Sequence, residues 1–397
     1  MSVTEALQSA IAAHKAHRFG EAEEGYARVL REHPSEPNAL NFLGMLRFHQ
    51  GRNDEAIDFL RQSIQAKPDN PHAHINLGNM LLEQRDLDGA HEAFVKATDL
   101  APELAIAWYN LGICLRHMHR PQDAVNALYK AVQFDPNYPL AQDALARLLY
   151  LLARSPEALE IYRKWLANDP DNPIPQHMIA AISGEGTPSR AADGYVRLVF
   201  DHFAETFDRA LAELGYRAPQ LLADALTARI GPSAKLDVLD AGCGTGLCGP
   251  LMRGSAQRLV GVDLSDGMVS KARQREVYDE LVVQELCEFM RSRPGEFGVV
   301  LSADTLCYFG ALGEAMAAAR GALREGGILG FTLEALQENK PGTAFRLEPH
   351  GRYSHAEWYV RDVLCAAGFT DVQIGAETLR LEGGKEVAGH VVTAVVR

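Results

Sequence analysis

Along the first half of the chain, small apolar positions return every 34 residues. Ala10, Gly44, Gly78, Gly112 and Ala146 stand at one phase, and Ala22, Ala56, Ala90, Ala124 and Ala158 stand twelve residues later. Pro34, Pro68, Pro102, Pro136 and Pro170 follow after twelve more. Three ladders in one register predict a supersecondary unit repeated five times. Each unit reads as two helices. The small residue of the first lets the second approach closely, the alanine forms the other side of that contact, and the proline stands where the second helix must stop. Trp108, Leu111, Phe94 and Leu128 are expected to fill the remaining space. Two helices enclose too little core to stand alone, so the units should stack into a superhelix with a concave face.

Segments such as WYNLGICL, beginning at Trp108, and DGAHEAFVKATDLAP, ending at Pro102, resemble the tetratricopeptide repeat family over about residues 3 to 172. The resemblance implies that a peptide or partner protein is held on the inner face of the first helices. By phase that face includes Asn38, Asn41, Met45, Phe48, His72, Ile75, Asn79, Tyr109, Ile113 and Arg116. Members that clamp a C-terminal carboxylate carry lysines and arginines at inner positions that are mostly neutral here, which disfavours an acidic tail as partner. Docking onto the chain's own second domain stays open as the alternative.

The period ends near Pro170, where DPDNPIPQHMIAAISGEGTPSRAA combines turn signals with one short apolar segment. A capping helix followed by a linker fits residues 173–190, with Met178, Ala181 and Ile182 covering the last hydrophobic face of the array at 1–172. A second domain then occupies 191–397. It opens with YVRLVFDHFAETFDRAL, in which Val199, Phe203, Phe207 and Leu211 recur every four residues and predict one helix with a strongly apolar side.

The pattern then changes to short apolar runs. In KLDVLDAGCGTGLCG, Leu236, Val238 and Leu239 form a strand, Asp240 closes it, and Gly242, Gly244 and Gly246 permit a tight turn into a helix with nothing protruding. Such a turn offers backbone N–H groups to a ligand. The next strand, RLVGVD, ends in Asp263, nineteen residues after Gly244, where a carboxylate can accept both hydrogen bonds of a ribose diol. A dinucleotide is the rival ligand, since GTGLCG satisfies a G-x-G-x-x-G spacing. Against it, the turn has already begun at Gly242, and Asp240 would repel a pyrophosphate while attracting a sulfonium or an ammonium. The rival stays open.

VLDAGCGTG followed by VGVDLS resembles the class I S-adenosylmethionine-dependent methyltransferases, over roughly Leu236 to Arg397. The resemblance implies a Rossmann-like domain with a mostly parallel seven-stranded sheet behind an α-helical repeat superhelix. It also implies that Asp240, Gly242, Gly244, Gly246, Asp263, Leu264, Glu285 and Ser302 surround the cofactor, the glycine turn at the methionine end, Asp263 on the ribose and Glu285 near the adenine amine. Taken whole, the chain looks like a family of bacterial methyltransferases with an N-terminal repeat array.

Composition narrows the chemistry. The formal charge of -13 is divided almost evenly, -6 over residues 1–172 and -7 over the remainder, so neither half attracts a phosphate backbone and no nucleic acid is expected as partner. Six cysteines without CxxC spacing fit a reducing compartment, so the expected location is the cytoplasm, and no apolar run reaches the length of a membrane span. His14 with His17, His72 with His74, and His117 with His119 supply only half a zinc shell, so no metal is expected.

Methyl transfer needs an unprotonated nucleophile held in line with the sulfonium, and a base only where the acceptor carries a proton to be removed. Phe203, Tyr308 and Phe309 are expected as walls. SADTLCYF lacks the Asn/Asp, two prolines and aromatic residue of enzymes that methylate adenine or amide nitrogens, and Asp304 alone makes no cation site. FRLEPHGRYSHAEWY, from Phe345, is the expected recognition loop, with His355 as base, Arg352 as anchor and Tyr353 beside them; His350 is a further candidate. The function expected is transfer of a methyl group to an oxygen or nitrogen of a protein or small polar substrate recruited by the array. A non-catalytic scaffold and an NAD-dependent oxidoreductase are the alternatives.

Overall fold

The computed structural model describes residues 2–231, 235–337 and 342–397. The chain divides into two compact units, Met1–Pro170 and Asp171–Arg397.

In the first unit helices pair as the ladders predict: Val3–Lys15 with Phe19–Glu32, Pro37–His49 with Asn53–Ala66, Pro71–Glu83 with Leu87–Leu100, Ala105–His117 with Pro121–Phe134, and Pro139–Leu151 with Ser155–Asn168. A Cβ added to Gly78 would lie 2.5 Å from the Phe94 ring, and one on Gly112 would lie 2.7 Å from Leu128. The small positions are therefore set by close helix approach. Ala22, Ala56, Ala90, Ala124 and Ala158 are all fully buried. A second 34-residue rhythm joins the helices of each pair: His17, Gly51, Arg85, His119 and Ala153 all adopt left-handed backbone, with φ of 56°, 75°, 64°, 57° and 58°. His17 and His119 are thus turn residues. Of the expected inner face, Asn41 and Ile75 are buried, Asn41 accepting a hydrogen bond from Asn76 at 3.0 Å, so these two pack rather than present themselves.

The second unit is built on a sheet. Its strands are β1 (Leu236–Ala241), β2 (Ala256–Asp263), β3 (Glu280–Val283), β4 (Phe297–Ser302), β5 (Leu323–Ala335), β6 (Phe345–Leu347), β7 (Tyr353–His355), β8 (Phe369–Glu382) and β9 (Lys385–Val396). The order is β3-β2-β1-β4-β5-β7-β6, with β9 also pairing β5, and β8 pairing β9. β1 to β5 run parallel, and β9 is antiparallel to both β5 and β8. Both faces are covered, as a parallel sheet requires. Leu286, Phe289, Ala315, Met316, Val360 and Leu364 close one side, and Leu222, Leu226, Cys248 and Met252 the other.

Two features depart from expectation. Among the described residues the sheet has nine strands rather than seven, because the segment read as a recognition loop folds into the β6–β7 hairpin and β7 docks on the end of β5 through Glu334 and Ala335. The helix expected over 195–211 is two helices, Asp193–Phe203 and Phe207–Glu213. The helix Pro173–Ser183 buries Ala180 and Ala181 against Leu347 and Tyr353 within the second unit. Its His177 ring stacks on Tyr195 at 4.0 Å, and His177 Nε2 is 2.8 Å from the carbonyl of Gly351.

Candidate functional site

A cavity with about 940 Å³ of empty space, partly open to solvent, lies over the C-terminal ends of β1, β2 and β4. That is the crevice where parallel α/β sheets hold ligands. Its floor is the glycine turn. Gly242, Gly244 and Gly246 take φ of 81°, 53° and 84°, backbone that other residues adopt only with strain. The amides of Gly242 and Cys243 donate to the carbonyl of Val262 at 2.8 and 3.0 Å, which locks the turn to the end of β2.

Asp263 completes that lock. Its Oδ2 accepts from the Gly244 amide at 2.9 Å and its Oδ1 from the Ser265 amide at 2.9 Å. Burial pushes this carboxyl up, and the amides of Ser265 and Gly244 oppose the shift. Asp240 lies deeper, 1% exposed, with its Oδ2 accepting from the Tyr278 hydroxyl at 2.6 Å. Burial raises its pKa to about 7; the Tyr278 hydrogen bond opposes this and the Asp263 charge adds to it. Glu285 caps the helix Leu286–Ser292 by accepting the Glu288 amide at 2.8 Å, and its other oxygen accepts from Arg190 Nη1 at 3.0 Å.

Asp240, Gly242, Gly244, Asp263, Leu264 and Glu285 line the cavity together. Gly246 and Ser302 stand behind it. A Cβ on Gly246 would lie 2.9 Å from Tyr278, and the Ser302 hydroxyl donates to the carbonyl of Ala241 at 2.7 Å, so both hold the turn from outside.

Residues not foreseen from sequence form a further wall, Arg190, Asp193, Val196, Phe200 and Tyr216 among them. Arg190 belongs to a strap laid along the loop after β4. The Ala191 amide donates to the Tyr308 carbonyl at 2.8 Å, and the Gly310 and Ala311 amides donate to the Ser189 carbonyl at 2.9 and 2.8 Å. Val196, Phe200 and Phe207 face the cavity, while Phe203, expected there, meets Phe207 edge-on at 5.4 Å. The helix break after Phe203 changes the phase, and a 3.6-residue count from Val196 to Phe200 would have found the true face.

The expected catalytic trio is elsewhere. His355 is completely buried, its Nε2 donates to the carbonyl of Gly310 at 3.1 Å, and burial pushes its pKa down to about 4. It does not line the cavity. Tyr353 is equally buried, its hydroxyl donating to the Pro188 carbonyl at 2.8 Å. Arg352 is paired through Nε with Glu334 at 2.5 Å and through Nη2 with Glu382 at 2.6 Å, and it does not line the cavity. The cause is the hairpin: β7 is buried along its whole length, where a loop would have exposed Tyr353 and His355.

Arg352 is part of a larger charge cluster. Arg380, 4% exposed, joins Glu382 at 2.7 Å, Asp304 at 2.7 Å and Glu334. His350 Nε2 lies 3.3 Å from Glu334. Burial pushes the Glu334 carboxyl up, but Arg352, His350 and Arg380 together hold it below its ordinary value. Among the described residues there is no group of three or more potential metal ligands.

Comparison with known proteins agrees with this geometry. Residues 239–331 match a methyltransferase domain model, and residues 7–71, 75–141 and 115–182 match tetratricopeptide repeat models, the last taking in the helix Pro173–Ser183. Human (Homo sapiens) methyltransferase-like protein 27 is 38% identical over 120 residues, 28% of this chain and 49% of that protein. Malonyl-[acyl-carrier protein] O-methyltransferase of Enterobacter lignolyticus (strain SCF1) is 33% identical over 110 residues, 28% of this chain and 43% of that protein. The chain thus spans less than half the length of these curated relatives. Among solved structures, a thermophilic tetratricopeptide repeat protein of Thermus thermophilus, TTC0263, aligns over 46% of this chain and 99% of its own with 20% identity and a TM-score of 0.38. The chain therefore carries tetratricopeptide repeats in its N-terminal part and a methyltransferase domain in its C-terminal part.

Proposed function

We propose that the cavity binds S-adenosylmethionine and that the second unit moves its methyl group to a nitrogen or oxygen nucleophile of a protein or small polar substrate in the cytoplasm. The observation that carries this reading is the Asp263 carboxylate at the cavity wall, with one backbone N–H on each oxygen. Those two bonds fix its orientation and leave lone pairs for the two hydroxyls of a ribose. A Cβ placed on Gly244 would meet nothing within 4 Å, so a ligand can come up against the backbone there. Asp240 and Glu285 supply negative charge for the sulfonium, the amino-acid ammonium and the adenine amine.

When bound, the cofactor supplies a methyl carbon activated by a sulfonium. The chain's part is positioning: Asp263 orients, Val196, Phe200 and Phe207 exclude water, and Thr305, donating to the Gly242 carbonyl at 3.1 Å, holds the loop after β4 against the glycine turn. The array is assigned the recruitment of a protein or peptide substrate, or of a partner, in keeping with its repeats.

Titration calorimetry with S-adenosylmethionine and with NAD tests the reading. Saturable binding of the first alone supports it; binding of NAD alone overturns it. Incubation of the full chain with cell extract and labelled methyl donor, separated into protein and metabolite fractions, then finds the substrate.

A further inference from the structure

We infer that the acceptor is an amine: the cavity is built to receive a positive charge on the atom that takes the methyl group. The inference rests on the methyltransferase reading and deepens it.

Five acids line the cavity, Asp193, Asp240, Asp263, Glu285 and Asp304, with Arg190 as the basic residue among the described ones. Arg190 pairs with Asp193 and with Glu285. A carboxylate or phosphate substrate would therefore meet fixed negative charge and, among the described residues, no free cation. Arg352, the expected anchor for such a group, is held in the charge cluster outside the lining.

Three of the acids are taken up by the cofactor assignment, and Asp193 by Arg190. Asp304 remains. It follows β4, next to Thr305, whose hydroxyl touches the glycine turn, so Asp304 stands beside the place given to the methyl donor. It is held in left-handed backbone, φ 50°, by Thr332, whose hydroxyl reaches Oδ1 at 2.8 Å, and by Arg380, which reaches Oδ2 at 2.7 Å. A carboxylate pinned this way keeps lone pairs for a donor; burial pushes its pKa up, and Arg380 and Thr332 oppose the shift. Around the same space lie Phe200, Phe207, Tyr216, Tyr308 and Phe309. Phe200 meets the Tyr308 ring edge-on at 5.4 Å, and the two form part of one aromatic wall of that space. Aromatic faces with one carboxylate form the usual surroundings of an ammonium.

The choice between hydroxyl and amine follows from proton accounting. A hydroxyl acceptor must lose a proton to a base as it reacts; among the described residues no histidine lines the cavity, and the lining carboxylates are already engaged, Asp240 by Tyr278, Asp263 by two backbone amides, Asp193 and Glu285 by Arg190 and Asp304 by Arg380. An amine sheds its proton to water beforehand and reacts as the free base. Its nitrogen forms the new N–C bond while the C–S bond breaks, the electron pair stays on sulfur, and the positive charge passes to nitrogen. Asp304 and the aromatic walls stabilise that charge where it arrives.

The test uses the full chain loaded with S-adenosylhomocysteine, with phenethylamine, 2-phenylethanol and phenylacetate as matched probes, binding being followed by saturation-transfer NMR. The amine should bind at least tenfold more tightly than either partner, and Asp304→Asn should reduce that preference at least fivefold with S-adenosylhomocysteine affinity within twofold. Tyr216→Phe, which leaves the charge cluster untouched, should keep the order of the probes. Equal or tighter binding of phenylacetate overturns the inference, as does binding of none of the three to the loaded protein. If S-adenosylhomocysteine itself does not bind, it is the methyltransferase reading that fails.

Discussion

The Gly244 amide donates to Asp263 Oδ2 at 2.9 Å, although nineteen residues separate them. One carboxylate thereby ties the glycine turn after β1 to the end of β2 and faces the cavity as well. Asp263→Ala removes both functions. Cofactor affinity should fall by roughly 1.5 to 3 kcal/mol, since two charge-assisted hydrogen bonds to the ribose are lost. Calorimetry measures it, and a change under about threefold would place the ribose elsewhere.

Asp240 gives a pH signature. Its folded pKa of about 7 exceeds the unfolded value, so its contribution to stability is complete below the unfolded pKa and is lost as pH rises to 7. Asp240→Asn should therefore raise the Tm above pH 7 relative to the parent. A cationic ligand requires the ionised form, so parental affinity should rise about tenfold between pH 6 and 8 while the variant stays flat and weaker. A parallel rise in both proteins would clear Asp240 of the effect.

His355→Ala should act on stability and not on chemistry. Losing a buried hydrogen bond and filled volume costs about 1 to 3 kcal/mol. The imidazole pKa is depressed, so its contribution is present above the unfolded value near 6.5 and is lost as pH falls towards 4. The variant's deficit should shrink over that range in denaturant titrations at stepped pH. Turnover with an altered pH profile between 6 and 8 would return this histidine to the mechanism.

A fragment beginning at Asp171 should fold and bind cofactor as the full chain does, whereas one beginning at Pro188 should melt lower. The second lacks Ala180 and Ala181 on Tyr353 and Leu347 and the His177 stack on Tyr195. Thermal unfolding of the two compares them directly, and equal melting would mean that the helix Pro173–Ser183 adds nothing to the unit.

These cases also mark how far sequence carries. Period and local order were readable: the helix pairs follow from the 34-residue ladders, and the turn from β1 to Asp263 follows from glycines and an acid at fixed offsets within one βαβ unit. The further wall was not. Arg190, Phe200 and Tyr216 come from segments with no common spacing and meet only through tertiary packing. The hairpin was missed for a different reason. β6 and β7 are three residues each, too short to show alternation, and polar letters such as Arg352, Ser354 and His355 read as a solvated loop. Arg352 and Glu334, which neutralise each other across strands, look in isolation like two free charges.

The bond from Arg380 to Asp304 spans 76 residues, from β8 to the loop after β4. During synthesis Asp304 leaves the ribosome well before the arginine that orients it, and at ordinary elongation speeds the gap lasts some seconds. Through that interval the glycine turn and β1 to β4 can assemble, but the carboxylate on the acceptor side has no guanidinium against it. The nascent domain can thus acquire a cofactor-sized crevice before it acquires a finished acceptor wall, and docking of the β8–β9 hairpin becomes the event that matures it.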